Sequence, residues 1–246
     1  MGTGRRTGHG RTGRTDGDLD RDDPLTIAIP RGRPTSEVVE LLGRAGLDAS
    51  AVLSNGRGLV VSDHAGRARF FITKPFDVPA YVEAGVADAG VVGKDVLMET
   101  EPAVMELLDL GVGRCRMVVA APAGGPADLA SFPGPIRVAT RYPRVAASYF
   151  RSRGLPVHVV ALHGSIELAP RVGLADAIVD LVQTGRTLDA NGLREVATIA
   201  AISARFVVNP VRWRVRYAQI RELASRLRQA ARSGQGVGTR VADELR

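Results

Sequence analysis

The segment Gly173-Leu-Ala-Asp-Ala-Ile-Val-Asp-Leu-Val-Gln-Thr-Gly-Arg-Thr187 decides the fold of this chain. Its apolar run, residues 177–182, predicts a buried strand, and the polar residues 183–187 predict a tight turn into a helix. A related segment, Gly85-Val-Ala-Asp-Ala-Gly-Val-Val-Gly-Lys-Asp95, lies about 88 residues earlier. Because helix, Ala-Asp-Ala, strand and polar turn occur twice in the same order, we expect two similar α/β lobes.

The remaining strands alternate with helices, which predicts an α/β protein with mostly parallel sheets and helices on both faces. We expect lobe I to comprise residues 25–113 and 194–246, including a C-terminal helix. Lobe II comprises residues 114–193 and carries the polar turn. Residues 1–24 are mainly Gly, Arg, Thr and Asp, so we expect a disordered tail. Ligands of such folds bind beyond the carboxyl ends of strands and in the cleft between lobes.

The polar turn has the chemistry of a phosphate site. Consecutive backbone N–H groups at the start of a helix, together with two hydroxyls and a guanidinium, suit a phosphate. The nearby aspartates have the wrong charge for a phosphate but suit sugar hydroxyls or a divalent cation. A phosphorylated sugar satisfies both. The predicted site comprises Asp176, Asp180, Thr184, Gly185, Arg186 and Thr187.

A second group of candidates is basic. Arg31 and Arg33 lie in a loop that follows an apolar strand, and they offer two forks for a polyphosphate, although exposed arginines on a turn are the plainer interpretation. Arg57, between two glycines, offers a third. Lys94 is one of only two lysines among 33 basic residues. Its Gly-Lys-Asp context is not a P-loop, because Asp88 stands where the first glycine of that motif belongs.

The net charge of +7 equals the surplus of residues 205–246, where ten arginines face three acidic residues. Apolar residues recur there at helical spacing and predict an amphipathic helix with a basic outer face. The competing interpretation is a nucleic-acid element, but the segment has no aromatic platform or known binding motif. We expect no nucleic-acid partner. The apolar positions are Trp213, Tyr217, Ile220, Leu223, Leu227 and Ala231.

The single cysteine, Cys115, cannot form an internal disulfide. Its arginine neighbours would lower the pKa of a reactive thiol, but a packed, inert thiol is the favoured interpretation. The chain has no run near the roughly 20 apolar residues needed to cross a bilayer, and its N-terminus has no signal-type segment. We therefore expect a cytoplasmic protein with no membrane partner.

Four segments together resemble the ATP phosphoribosyltransferase family: residues 77–85, 90–97, 107–116 and 164–188. The likeness extends from about Leu25 to Asn209. It implies a two-lobed fold like that of type II periplasmic binding proteins. It also implies transfer of a 5-phosphoribosyl group from phosphoribosyl diphosphate to N1 of ATP, with Mg²⁺, as the first step of histidine biosynthesis. The open alternatives are a related phosphoribosyltransferase with another heterocyclic acceptor, and a non-catalytic two-lobed ligand-binding protein.

The resemblance also implies roles, position by position. The turn residues 184–187 bind the 5-phosphate, and Asp180 with Asp176 lies near the ribose hydroxyls. Arg33 and Arg57 act in catalysis, and Arg57 reaches the site of a neighbouring subunit, which implies a homodimer. Because no regulatory domain follows the last helix, the chain resembles the short form, which works with a regulatory subunit similar to histidyl-tRNA synthetase. The metal ligands stay open. The expected ATP-binding residues are Arg31, Gly32, Arg33, Lys94 and Glu167.

Three positions depart from the family pattern. Arg31 stands where lysine is usual, and Lys74 stands where arginine is usual. Both positions keep a positive charge, but the forked arrangement of N–H donors, which only arginine has, is not kept. Pro210, after Asn209, changes the entry into the last helix. These departures are the reason for keeping a different acceptor base open.

Overall fold

The structure, a computed structural model, describes residues 23–53 and 58–243, with side chains through residue 234. The expected disordered tail lies outside these residues except for Asp23 and Pro24. No helix in the described ranges is long and apolar enough to cross a membrane.

The first sheet has six strands in the order β2-β3-β1-β4-β11-β5. Strand β1 (Leu25–Pro30), near the middle of this sheet, is buried along its whole length, as its continuous apolar sequence predicts. The strands are β1 (Leu25–Pro30), β2 (Val60–Ser62), β3 (Ala68–Thr73), β4 (Ala89–Gly93), β5 (Met105–Asp109) and β11 (Ala204–Val208).

The second sheet has five strands in the order β10-β6-β9-β7-β8. Its middle strand is the apolar run of the segment quoted first, and four of the six residues of that strand are buried. The strands are β6 (Cys115–Pro122), β7 (Ile136–Thr140), β8 (Val157–Ala161), β9 (Ala177–Val182) and β10 (Leu193–Ile202).

Helices cover both faces of both sheets, as expected. In the first sheet, one face packs on the first and last helices and the other on the two helices that flank β4. In the second sheet, the aromatic helix after β7 covers one face and two short helices cover the other. The helices are α1 (Thr35–Arg44), α2 (Val78–Glu83), α3 (Lys94–Thr100), α4 (Pro143–Arg151), α5 (Leu168–Arg171), α6 (Arg186–Ala190), α7 (Pro210–Val215) and α8 (Tyr217–Asp243).

The sheets are mixed rather than mostly parallel. Four strand pairs are parallel, namely β1–β3, β1–β4, β7–β8 and β7–β9, while five are antiparallel. Most antiparallel pairs arise because the chain crosses between the sheets twice, from β5 to β6 and from β10 to β11, and those strands run against their neighbours. Since β10 pairs with β6, the return to the first lobe lies at Ser203 and not at residue 194.

The repeated Ala-Asp-Ala motif has one structural role in both sheets. Asp88 N donates to Thr26 O (2.8 Å), and Thr26 N donates back to Asp88 Oδ2 (2.8 Å). Likewise, Asp176 N donates to Arg137 O (2.8 Å), and Arg137 N donates to Asp176 Oδ2 (2.9 Å). Each aspartate therefore ties the start of its strand to the start of the neighbouring strand. The predicted internal repeat is confirmed at this level of detail.

The C-terminal helix expected from residue 213 onward is two helices. The break lies at Arg216, whose buried Nη1 donates to Asp88 Oδ2 at 2.8 Å. A buried charged side chain requires a partner of opposite charge, and Arg216 pairs with Asp88 at the break between the two helices. Beyond it, Ile220, Leu223 and Leu227 of α8 are buried against the first sheet, as their spacing predicts.

Candidate functional site

A cleft of about 420 Å³ lies between the two sheets. Its walls come from the loop after β1, the end of β4, the residues after β7 and the end of β9, with the two crossovers between the sheets at its base. The cleft therefore lies where the sequence predicted that a ligand would bind, at the carboxyl ends of parallel strands.

The first wall is the loop that carries Arg31, Gly32 and Arg33. Gly32 has a φ of 143°, which L side chains rarely adopt, so glycine is needed here. The Thr35 hydroxyl accepts from Gly32 N (2.8 Å) and lies 2.9 Å from Pro30 O, which holds the loop in shape. All three predicted residues of this loop line the cleft.

Asp180 is the centre of charge on the opposite wall. Burial raises the pKa of its carboxyl, an effect opposed by the N–H of Leu181, which donates to Oδ1 at 2.8 Å. The negative charge of Glu167 raises the pKa further, and the positive charges of Arg33 and Arg141 lower it. The structure therefore brings Arg33 and Asp180, from distant parts of the sequence, into one cleft, and the charge of Glu167 acts on Asp180 from outside the cleft lining.

The polar turn after β9 forms as predicted. Gly185, with a φ of 81°, precedes the first residue of α6, so a glycine is required at this corner. The N–H groups of the first turn of a helix have no partner within the helix. Thr184, Arg186 and Thr187 are exposed, and the lining of the cleft reaches the turn at Gln183. The turn lies beside the cleft rather than within its walls.

Besides the turn residues, three predicted residues, Lys94, Glu167 and Asp176, do not line the cleft. Lys94 Nζ donates to Glu106 Oε2 at 2.7 Å and does not line the cleft. Asp176 lies at the opposite end of β9 from the turn, about 20 Å away for six extended residues. Its carboxylate is held by Arg137 Nη2 at 2.6 Å. Arg57 lies outside the described residues.

Sequence reasoning missed residues that connect the lobes at the cleft. The buried hydroxyl of Tyr142, after β7, donates to Asp95 Oδ2 at 2.8 Å on α3. A Cβ on Gly93 would lie 2.0 Å from Asp95 Oδ1, so Gly93 makes room for this carboxylate. The Gly-Lys-Asp motif was therefore a correct signal, but the residue in the cleft is the aspartate and not Lys94.

Cys115 lies in the cleft wall, where burial first and the charge of Asp95 second raise the pKa of its thiol. A raised pKa disfavours the nucleophilic thiolate. This agrees with the interpretation of an inert, packed thiol.

No described residues form a group of three or more His, Cys, Asp and Glu side chains able to hold a metal ion. The acids that line the cleft are Glu37, Asp95 and Asp180, and the charge of Glu167 acts on Asp180 from outside this lining.

The family model of ATP phosphoribosyltransferase matches residues 74–229. The chain belongs to this family. The ATP phosphoribosyltransferase of Moorella thermoacetica is 48% identical over 223 residues, which cover 89% of this chain and 96% of that protein. That of Symbiobacterium thermophilum is 51% identical over 208 residues, covering 84% of this chain and 94% of that protein. The ATP phosphoribosyltransferase resemblance found in four short segments is thus confirmed along most of the chain.

Solved structures agree with this assignment. The ATP phosphoribosyl transferase (HisG:HisZ) complex from Thermotoga maritima is similar with a TM-score of 0.72 and 34% identity, covering 85% of this chain and 98% of that one. The periplasmic aliphatic sulphonate binding protein of Escherichia coli is similar in fold alone, with a TM-score of 0.56 at 13% identity, over 87% of this chain and 75% of that one. The expected two-lobed fold of periplasmic-binding-protein type is confirmed.

Proposed function

We propose that this chain transfers the 5-phosphoribosyl group of phosphoribosyl diphosphate to N1 of ATP. The observation that carries the proposal is that Arg31, Arg33 and Asp180 line one cleft in a member of this family. In the reaction, the N1 lone pair forms a bond to the anomeric carbon while the bond from that carbon to the diphosphate oxygen breaks. The electron pair leaves with diphosphate, and the purine then loses a proton to solvent.

The donor sugar is proposed to lie along the end of β9. The turn of residues 184–187 holds the 5-phosphate through N–H groups, two hydroxyls and the Arg186 guanidinium. Asp180, a few residues before the turn, accepts from the ribose hydroxyls. Its negative charge also stabilises the positive charge that develops on the ring as the leaving group departs.

The acceptor is proposed to lie against the loop after β1. Arg31 and Arg33 face the phosphates of ATP, and Gly32 lets the backbone approach them closely. Glu167 lies on the opposite side of the cleft, near Asp180. Because the adenine nitrogen is already a nucleophile, holding two polyanions in line accounts for much of the acceleration. Lys94 and Asp176, which are tied to other partners outside the cleft, are left out of the proposed site.

Mg²⁺ is the proposed metal, and the cleft suits it. This ion commonly binds one or two carboxylates together with substrate phosphates, and Asp180 offers one such carboxylate in the cleft. When bound, it neutralises the charge of the departing diphosphate.

The assembly is proposed by extension from the family. Arg57 is a proposed catalytic residue that reaches the cleft of a second copy in a homodimer. The Thermotoga maritima structure is a HisG:HisZ complex, and we extend a regulatory subunit, similar to histidyl-tRNA synthetase, to this chain. We place the reaction in the cytoplasm, where both substrates are made.

The test is an absorbance assay for the modified adenine, with ATP, phosphoribosyl diphosphate and Mg²⁺, with and without the synthetase-like subunit. We expect product with ATP, and a fall of about 100-fold in kcat/KM for Arg33→Gln. Arg171→Gln, an exposed arginine of lobe II, is the matched control. Binding of the donor without turnover of ATP, but with turnover of another heterocycle, would assign a different acceptor.

A further inference from the structure

One arginine in the cleft is unaccounted for by the roles above. Arg141 follows β7 and lines the cleft. The last registered pair between β7 and β9 is Thr140 with Val179, so Arg141 lies beside Asp180 at the carboxyl ends of two parallel strands. Its charge lowers the pKa of the Asp180 carboxyl, which agrees with this proximity.

The guanidinium of Arg141 has no hydrogen-bond acceptor among the described residues. Within the ranges that the structure describes, it makes no hydrogen bond and no ion pair, although it faces the charge of Asp180. Nearby lobe II arginines differ, since Arg137 pairs with Asp176 and Arg144 with Glu101. Arg141 is therefore left with free donors inside a cleft, where a ligand can reach them.

A residue of the other lobe holds this side chain in place. The Arg141 guanidinium carbon lies 4.8 Å from the centroid of the Phe76 ring, in the 3-10 turn Pro75–Asp77 of lobe I. Phe76 packs against buried residues of both lobes, and its ring centroid is 5.9 Å from that of Tyr142. Stacking on an aromatic face orients a guanidinium and leaves its edge donors available.

The remaining charges of the cleft favour an anion. The lining carries Arg31, Arg33, Arg114 and Arg141 against three acids. Asp95 accepts from the Tyr142 hydroxyl and Glu37 accepts from Gly113 N at 2.9 Å, which holds these carboxylates in place without removing their charge, so the basic residues of the lining outnumber its acids by one. Arg33 and Arg141 thus line the cleft from opposite lobes, and the charges of both lower the pKa of Asp180, whereas the charge of Glu167 raises it.

We propose that Arg141 is a further substrate-binding residue, which grips an oligophosphate chain from lobe II while Arg33 grips it from lobe I, and that Phe76 is its positioning residue. This inference rests on the proposed function for the identity of the ligand. The chain is the diphosphate of the donor or the triphosphate of ATP, which share the same chemistry.

The experiment compares Arg141→Gln and Arg141→Lys with wild type in the full-length chain. We expect Arg141→Gln to raise KM for one substrate at least about 10-fold, with a smaller change in kcat, because a charge-assisted contact is lost. Arg141→Lys should recover part of the loss. An effect on KM for phosphoribosyl diphosphate assigns the donor, and an effect on KM for ATP assigns the acceptor.

Arg153→Gln is the matched control, because Arg153 also stacks on a ring, 3.7 Å from the centroid of Tyr149, but does not line the cleft. Phe76→Leu should raise the same KM by a smaller factor and have little further effect in the Arg141→Gln background. Unchanged KM values for both substrates in Arg141→Gln, or an equal change in Arg153→Gln, would overturn the inference.

A calorimetric titration separates this inference from the proposed function. Inorganic diphosphate with Mg²⁺, and ATP alone, are titrated into wild type and Arg141→Gln without turnover. If wild type binds either ligand and the variant binds it at least about 10-fold more weakly, Arg141 is a ligand contact even if no phosphoribosyl transfer is found. Equal binding by both proteins refutes the contact even if wild type is active.

Discussion

At the scale of single residues, Asp176 and Asp180, just before and within β9, have pKa values that are shifted in opposite directions. Burial raises the pKa of Asp180 above its ordinary value of 3.8, whereas the hydrogen bond with Arg137 lowers the pKa of Asp176 below 3.8. The charged form of Asp180 therefore costs stability at neutral pH, and the charged form of Asp176 contributes to it. A residue whose charge destabilises the fold is a candidate for a functional role. A residue whose charge stabilises the fold is not such a candidate.

We expect Asp180→Asn to raise the free energy of unfolding at pH 7 by about 1 kcal/mol while lowering kcat/KM at least about 100-fold. In wild type, the destabilisation by the charged form of Asp180 is present at pH values above the raised pKa of this group in the folded state. It disappears as pH falls toward 3.8, where the unfolded chain also becomes protonated. The stabilisation measured by urea unfolding should therefore shrink with decreasing pH.

Asp176→Asn is the paired variant, with the opposite sign. It should lower the free energy of unfolding at pH 7 by about 1 kcal/mol, the upper end for a partly exposed ion pair, and leave KM unchanged. Because its folded pKa is lowered, this contribution is present above 3.8 and is lost as pH falls through the folded pKa. A large change in KM would restore Asp176 to the binding site.

At the scale of elements, one side chain joins two helices. Asn209 Oδ1 accepts from Val211 N (2.8 Å) and Arg212 N (2.9 Å), so it caps α7. Its Nδ2 donates to Val82 O (2.9 Å) and Glu83 O (3.0 Å) at the end of α2. Pro210 occupies the first position of α7, where a missing N–H is tolerated, so the departure from the family pattern leaves the cap intact.

We expect Asn209→Ala to lower the free energy of unfolding by about 3 kcal/mol, from loss of a cap and from buried carbonyls left without a donor. Asn209→Asp keeps the cap acceptors but places a second oxygen against those carbonyls, so it should also destabilise. Asn191→Ala is the control, since its side chain makes one exposed bond, to Thr187 O. Similar urea midpoints for the Asn209 and Asn191 variants would show that the bonds of Asn209 between α2 and α7 contribute nothing specific to stability.

At the scale of the whole molecule, contacts between α3 and the start of α4 hold the lobes together. Tyr142 donates to Asp95 across the cleft. Glu99 accepts from the N–H groups of Arg144 (2.9 Å) and Val145 (3.0 Å), and Arg144 also pairs with Glu101. One lobe thus supplies the acceptors that the first turn of a helix in the other lobe requires.

We expect Tyr142→Phe to lower the free energy of unfolding by about 2 kcal/mol, because Asp95 is buried and loses its donor. Burial beside Asp95 raises the pKa of Tyr142, so the hydroxyl stays protonated and the loss should be constant from pH 6 to 9. Tyr149→Phe, whose hydroxyl makes no bond in the described ranges, should cost much less. Equal losses in the two variants would show that the bond between the lobes contributes nothing specific.

The sequence by itself determined the two α/β units, the glycine corner before α6, the loop after β1 and the family. These features depend on local periodicity, on turn chemistry and on short motifs, all of which are determined by residues that are close together in the sequence. Arg33 and Asp180 were predicted from the basic loop and the polar turn as well as from the family resemblance, and Glu167 was predicted from the resemblance.

Only the tertiary structure decided which polar residues share the cleft. Asp176, just before β9, is held by Arg137 at the far end of the strand from the turn, whereas Asp180, within β9, lines the cleft, and only the folded strand shows this difference. A comparison with Asp88, which has the same context, was the signal available. Arg141 and Tyr142 were missed because their partners, Phe76 and Asp95, are distant in sequence and meet only when the chain crosses twice between sheets. The same crossings made the sheets mixed, since strand direction depends on topology, which local sequence does not encode.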